Sequence, residues 1–225
     1  MDAVAPAMML VIALCRFLEP LDGQGWGMLI EEGESFFPLA FKPYADYDEW
    51  YYAIFFYEGL YALAAFLHLQ FGKKKRADGQ KALLALVLYC AAQVLFETLR
   101  RDIVVKWRFV RVSQLFSVIV LALLLLMATI KKQGKDRHFV RKWILFVLLT
   151  GLCVAIEFTV DKPLSVSSNL ISEGVENFLT QLGLTVQEGD EDGKTLIYLP
   201  YILTYAIIGI SAFFMGRMTW NAVKE

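Results

Sequence analysis

Apolar residues in this chain come in long, nearly unbroken blocks, unlike the alternation of a half-buried strand or the one-sided stripe of a soluble helix. Crossing the ~30 Å hydrocarbon layer of a bilayer takes about 20 mostly apolar helical residues. Five blocks qualify: Trp50 to Phe71, Lys81 to Leu99, Phe109 to Ile130, Trp143 to Val160 and Ile197 to Met215. A sixth, Ala3 to Cys15, is short, contains Pro6 and is closed by Arg16. It lacks a basic lead-in (residue 2 is Asp) and a small-residue cleavage site, so it reads as a short span and not as a secretion signal. Ile12-Ala13-Leu14-Cys15 is a poor lipidation box, because Leu14 is too large before the cysteine. The span begins abruptly, as if helices before it were missing.

Composition fits this pattern. Of 225 residues, 57% are hydrophobic, against ~45–50% in a soluble domain, and the mean hydropathy is +0.50. The expected fold is all-α: a polytopic integral membrane protein with about six transmembrane helices. A net charge of −1 provides no global field for nucleic acid. Cys15, Cys90 and Cys153 each sit in an apolar run, with neither CxxC nor a Cys/His cluster. Neither a disulfide framework nor a zinc site is implied. His68 is isolated near the inner end of a span and His138 lies in a basic loop. No metal and no cofactor are expected, and no phosphate-binding glycine loop or nucleophile elbow is present.

Loop charge orients the spans, because basic loops stay in the cytoplasm. Lys73-Lys74-Lys75-Arg76 and the cations of residues 131–142 mark two inner loops. The loops that then fall outside carry Glu19, Asp22, Glu31, Glu32, Glu34, Asp46, Asp48 and Glu49, and later Glu188, Asp190, Glu191 and Asp192. Both termini come out cytoplasmic. One outer connection breaks the rule: Arg100, Arg101, Lys106, Arg108 and Arg111 stand there against the single Asp102. Two readings remain open. Either a short loop is outvoted by its neighbours, or these cations bind an anion at the outer interface. Arginine suits phosphate because its planar fork donates two parallel hydrogen bonds, and the anion at that depth is a phospholipid headgroup.

Ionisable groups inside spans are costly and point to function. Glu58 is expected about two turns from the outer end of its span. Tyr89, Gln93, Glu97 and the Arg100/Arg101 pair recur at helical spacing, and Gln114 and Ser117 share a face of the next span. Glu97 and Arg101 are four apart, which allows a local ion pair. Glu157 lies near the outer end of its own span. A shared outward-facing pocket and scattered interhelical hydrogen bonds both fit this distribution.

These residues resemble the bacterial prolipoprotein diacylglyceryl transferase family. Its signature, roughly G-R-x-G-N-F-x-N-x-E-x-x-G after a helix opening Asp-x-x-x-Pro, is similar to Asp2 to Pro6 followed by Cys15 to Gly27. Arg16 and Gly27 match, Gly23 and Trp26 are types often seen there, and Asp22 and Gln24 are near-isosteric with the family's Asn and Glu. Its R-H-P-S/T-Q-L-Y-E segment falls on Tyr51 to Glu58, with Tyr57 and Glu58 kept and Tyr51 and Tyr52 in place of Arg and His. Its Y-G-x-x-R-x-x-x-E-x-x-R and G-Q-x-x-S blocks correspond to Tyr89, Gln93, Glu97, Arg100 and then Gln114 and Ser117, Gln93 standing for an arginine. The resemblance covers residues 2–130.

The resemblance implies transfer of diacylglyceryl from phosphatidylglycerol to a lipoprotein cysteine thiol, with glycerol phosphate released. Cations must hold the phosphate leaving group and a base must take the thiol proton. By this resemblance Arg16, Arg100, Arg101, Arg108 and Arg111 contact the headgroup. Glu58 or Glu97 acts as base or positions those arginines, and Asp22, Gln24, Tyr57, Tyr89, Gln93, Gln114 and Ser117 line the pocket. The partners implied are a membrane phospholipid and a lipoprotein precursor or other membrane protein, in a bacterial plasma membrane. The family's earlier helices, with a His-Gly-Gly segment, have no counterpart here, so the chain reads as a divergent, N-terminally truncated relative. The alternative is a non-catalytic scaffold or accessory subunit.

Residues 1–132 thus read as the transferase-like module and 133–225 as a two-span extension with an external segment, 161–196. Leu170, Ile171, Gly174, Val175, Phe178, Leu179 and Leu182 follow helical spacing, which predicts an external amphipathic helix with an acidic polar face.

Overall fold

The computed structural model of the protein describes residues 2–30, 36–43, 49–72, 77–101, 106–107, 110–131, 139–161, 164–167, 180–181, 184–188, 194–198 and 200–224. Six helices dominate: α1 (Val4–Leu18), α2 (Ile54–Phe71), α3 (Gln80–Leu99), α4 (Val112–Lys131), α5 (Phe139–Asp161) and α6 (Tyr201–Val223). All six are long and apolar enough to cross a membrane, α1 when the 3-10 turn Glu19–Asp22 that continues it is included. The helices follow the apolar blocks, and two start later than expected because strand pairing takes up the residues before them.

Two expected spans start four residues early. Trp50–Tyr52 is not helical but a strand, β3, flanked by β1 (Leu29–Ile30) and β2 (Ala40–Phe41), with Tyr51 opposite both Leu29 and Phe41. Its aromatic residues suit a pleated surface, so α2 begins at Ile54 and Glu58 lies about one turn into it, not two. Likewise Ile197 belongs to β8 (Lys194–Tyr198), the centre of an antiparallel sheet with β6 (Leu164–Ser167) and β7 (Thr185–Glu188). Pro200 then forms the N-cap of α6 at φ −59°, ψ 131°, an extended conformation from which proline readily starts a helix. These strands were not anticipated. Most of the expected amphipathic helix lies outside the described residues, as do the basic runs 73–76 and 132–138 and the acidic turn 189–193. Between α3 and α4 a short hairpin pairs β4 (Lys106–Trp107) with β5 (Val110–Arg111).

Lipid tails are as apolar as leucine, so packing of small residues, not hydrophobic burial, holds spans together. Ala5, Met9 and Ala13 of α1 repeat every four residues and form one buried cluster with Ala62, Ala65 and Leu69 of α2 and Leu84 and Ala85 of α3. Gly59 makes the closest approach possible: a Cβ there would lie 2.5 Å from the Phe17 ring. A larger core joins Val87, Cys90 and Val94 of α3, Leu121 and Leu125 of α4, Phe146 and Cys153 of α5, and Ile208 and Met215 of α6. Helices from both sides of residue 132 share it. On α4 the buried positions Gln114, Ser117, Leu121, Leu124, Leu125 and Ala128 keep the 3–4 spacing of one helical face.

The Asp of the Asp-x-x-x-Pro opening has a structural task. Asp2 accepts hydrogen bonds from the backbone N–H groups of Gly79 (2.7 Å) and Ala82 (3.1 Å), capping α3 from another part of the chain. Desolvation raises its proton affinity, but these bonds outweigh it and hold the carboxyl below its ordinary value. The contact therefore contributes stability above the unfolded aspartate pKa, and that stability is lost as pH falls through the lowered one.

Candidate functional site

The segment after α1 is knitted to the start of α2 and the end of α3 by backbone bonds. Phe55 N–H donates to Gly25 O (2.9 Å), Gly27 N–H to Tyr52 O (2.8 Å), Tyr52 N–H to Met28 O (3.0 Å) and Arg101 N–H to Trp26 O (2.9 Å). The 3-10 turn ends at Gly23, in the left-handed region at φ 66°, and the indole of Trp26 donates to Gly23 O. This lattice brings four charged side chains from three helix ends together.

Arg16 bonds Glu19, three residues on, and its Nε stands 2.8 Å from Glu58 Oε1. Arg100 Nη1 lies 3.2 Å from the same Glu19 oxygen and 3.6 Å from Glu58 Oε2. Two guanidinium and two carboxylate groups balance in charge, as burial demands. A second pair adjoins them: Arg111 Nη1 is 3.8 Å from Glu97 Oε2, and Arg111 Nη2 donates to the carbonyl of Arg100. Gln93 donates to Glu97 at 3.3 Å. Arg100, Arg111, Glu58 and Glu97 are all buried. Glu19 Oε2, both Glu58 oxygens and Glu97 Oε2 are buried without an aligned hydrogen bond, so the ion contacts are close but off line. Native proteins keep few such atoms, and functional sites are one place where they do.

Next to this network is one held by hydrogen bonds. Gln114 Nε2 donates to Val94 O (2.9 Å) and Thr98 Oγ1 (2.7 Å), and Thr98 donates to Glu157 Oε2 (3.0 Å). Gln114 and Ser117 are both buried, and the Ser117 hydroxyl bonds Ser113 O.

Not every candidate joins the cluster. The helix ends at Leu99, with Arg100 at its extended C-cap, so Arg101 does not continue the helical stripe toward Glu97. Its guanidinium instead reaches Tyr205 Oη at 3.4 Å. Arg101 lines an open cleft of about 290 Å³ with Trp26, Gly27, Met28, Leu29, Tyr51 and Tyr201. The edge of Trp26 packs on Tyr51 at 5.0 Å. Asp22 and Gln24, expected to line a pocket, are exposed on the far side of the turn, because Gly23 and Gly25 reverse the chain there. Tyr57 is half-buried beside Phe56, and Tyr89 packs between the two apolar cores. Arg108 lies outside the described residues. The sequence reading missed Glu19, which had been counted with the outer-loop acids; its i, i+3 spacing from Arg16 was the available signal. Thr98 was missed as well, since a hydroxyl in an apolar run carries little signal.

Helical spans enclosing a buried arginine–carboxylate network at one end define a multi-pass membrane protein with a charged intramembrane site. A family model described as prolipoprotein diacylglyceryl transferase matches residues 1–130, more than half of the chain, and the protein belongs to that family. Neither among curated proteins nor among solved structures was a significant match found.

Proposed function

We propose that the protein binds an anionic phospholipid headgroup at the outer leaflet and carries out, in residual or altered form, diacylglyceryl transfer to a cysteine thiol. The observation that carries this reading is the Arg16–Glu19–Glu58–Arg100 network, buried where α1, α2 and α3 end. An apolar groove of about 390 Å³ supports it. The groove runs between α3 and α6, from Leu84, Arg217 and Trp220 at one end to Leu95, Phe96 and Tyr61 at the other, where Tyr61 is three residues from Glu58 and Phe96 is next to Glu97 in the chain. An acyl chain fits its apolar walls. In the transfer, the thiol sulfur forms a thioether bond to the glycerol carbon as the carbon–oxygen bond to phosphate breaks. Glycerol phosphate leaves under the arginines, and the thiol proton goes to Glu58.

Charge balance sharpens the proposal. A phosphate must compete with Glu19 for the guanidinium groups of Arg16 and Arg100, whereas Arg101 in its open cleft meets the headgroup first. Glu19→Gln therefore tightens phosphatidylglycerol binding, while Arg16→Ala and Arg101→Ala each weaken it several-fold. Lipid retained after purification and binding in nanodiscs read out both signs. Weaker binding in Glu19→Gln, or unchanged lipid in both arginine variants, would sink the headgroup site. For the chemistry, the protein is expected to lipidate a lipobox peptide in phosphatidylglycerol vesicles, more slowly with Glu58→Gln.

The same balance favours a second reading. Glu19 and Glu58 fully neutralise Arg16 and Arg100, and Tyr51 and Tyr52 stand where the family signature has Arg and His. A non-catalytic scaffold with a structural network has these properties, and absence of modified peptide at high enzyme concentration selects it. Bacterial plasma-membrane residence with cytoplasmic termini, and the division of the sequence at residue 132, complete the proposal.

A further inference from the structure

Three cations that play no part in the outer network gather at the opposite end of the bundle. Arg141 and Lys142 lie in the first turn of α5 and Arg217 lies near the end of α6. With Asn221 they line a cavity of about 410 Å³ whose other walls are Leu145, Phe214 and Met218. No acid is among these lining residues. Both helices lie beyond the segment that matches the family model, so this cavity is a feature of the second half alone.

We propose that this cavity binds an anionic phospholipid of the leaflet opposite the Arg16–Glu58 network. The phosphate sits on Arg141, Lys142 and Arg217, and the acyl chains lie along Leu145, Phe214 and Met218. Charge complementarity and the mixed lining carry the assignment. Basic pockets between spans at a membrane end recognise anionic headgroups, and guanidinium forks suit phosphate. A soluble anion has no use for the apolar wall, whereas a lipid needs both halves. Leu145 and Phe214 are exposed, so the cavity opens sideways to the acyl layer. Asn221 adds an amide for the headgroup's hydroxyl or ester oxygens.

The test uses the full chain, with phosphatidylglycerol or phosphatidylcholine added in micelles and bound lipid counted by native mass spectrometry. Each surface cation contributes about fivefold to anionic lipid binding, so Arg141→Ala/Lys142→Ala/Arg217→Ala is expected to weaken this site about a hundredfold. Arg141→Lys/Arg217→Lys, which keeps the charge, retains most of the binding and controls for folding. The comparison is repeated on an Arg16→Ala background, which weakens the outer site, and the triple substitution is expected to cause the same further loss there, which separates this site from the outer one. Three results overturn the proposal: equal phosphatidylglycerol binding by the triple variant and the wild type, equal binding of phosphatidylcholine by the wild type, or displacement of the lipid by inorganic phosphate.

Discussion

Arg100→Ala is expected to lower the stability of the bundle by about 3–5 kcal/mol, the cost of removing one partner from a buried ion network. Arg100 faces Glu19 and Glu58 together, and its carbonyl accepts from Arg111. Without it two carboxylates share the single cation Arg16 in a low-dielectric setting, where the remaining charge is the main penalty. A compensating change should therefore recover part of the loss: Arg100→Ala/Glu58→Gln is more stable than Arg100→Ala alone, although it lacks one more side chain. Thermal unfolding in micelles, read across the full double-mutant cycle, measures the coupling. A loss below about 1 kcal/mol is the range of exposed pairs and would show that the network does not hold the helix ends.

Gly25→Ala is the second large effect. The residue has φ +81°, and a Cβ would stand 2.5 Å from Phe55 Cβ and 2.8 Å from Glu19 Oε2. Two penalties combine: about 1–2 kcal/mol for an L side chain in the left-handed region and about 1–3 kcal/mol for overpacking. Relief of the clash moves either the start of α2 or the Glu19 carboxylate, so phospholipid retention is expected to change with stability. Gly79 separates the two terms. Its φ is +84°, yet nothing lies within 4 Å of an added Cβ. Gly79→Ala should show the backbone penalty alone, with lipid content unchanged. Equal losses for the two alanines would remove the steric part of the argument.

The spans were legible because a bilayer sets a length that an apolar block either meets or does not. The starts of α2 and α6 were less so. Trp50–Tyr52 and Ile197 are as apolar as the helices they precede, and only pairing with distant strands decides their conformation. The site was half legible. Polar or ionisable side chains inside apolar blocks marked Glu58, Glu97, Gln93 and Gln114, and resemblance marked Arg16 and Arg100. Which of these meet depends on the chain reversal at Gly23 to Gly27. No helical spacing encodes that reversal, which is why Asp22 and Gln24 were expected inside and Glu19 was not. The basic connection between α3 and α4 is also clearer. It is not one patch: Arg100 and Arg111 turn inward to Glu19, Glu58 and Glu97, while Arg101 turns to its own cleft.

The hydrogen bonds that join Thr98 and Gln114 to Glu157 have a consequence for biogenesis. The spans leave the ribosome in order, so α3 and α4 enter the bilayer before the side chain that completes their polar face has been synthesised. A nascent chain halted after Lys131 holds Thr98 and Gln114 without that carboxylate, and it also lacks the α5 and α6 contributions to the larger core. Such an intermediate is expected to stay with the insertion machinery or an assembly factor until α5 and α6 arrive. Crosslinking of stalled chains from a photoreactive residue at the exposed position 116 should report the release as a single late step, once α5 and α6 are both inserted, and not as a gradual loss of contact.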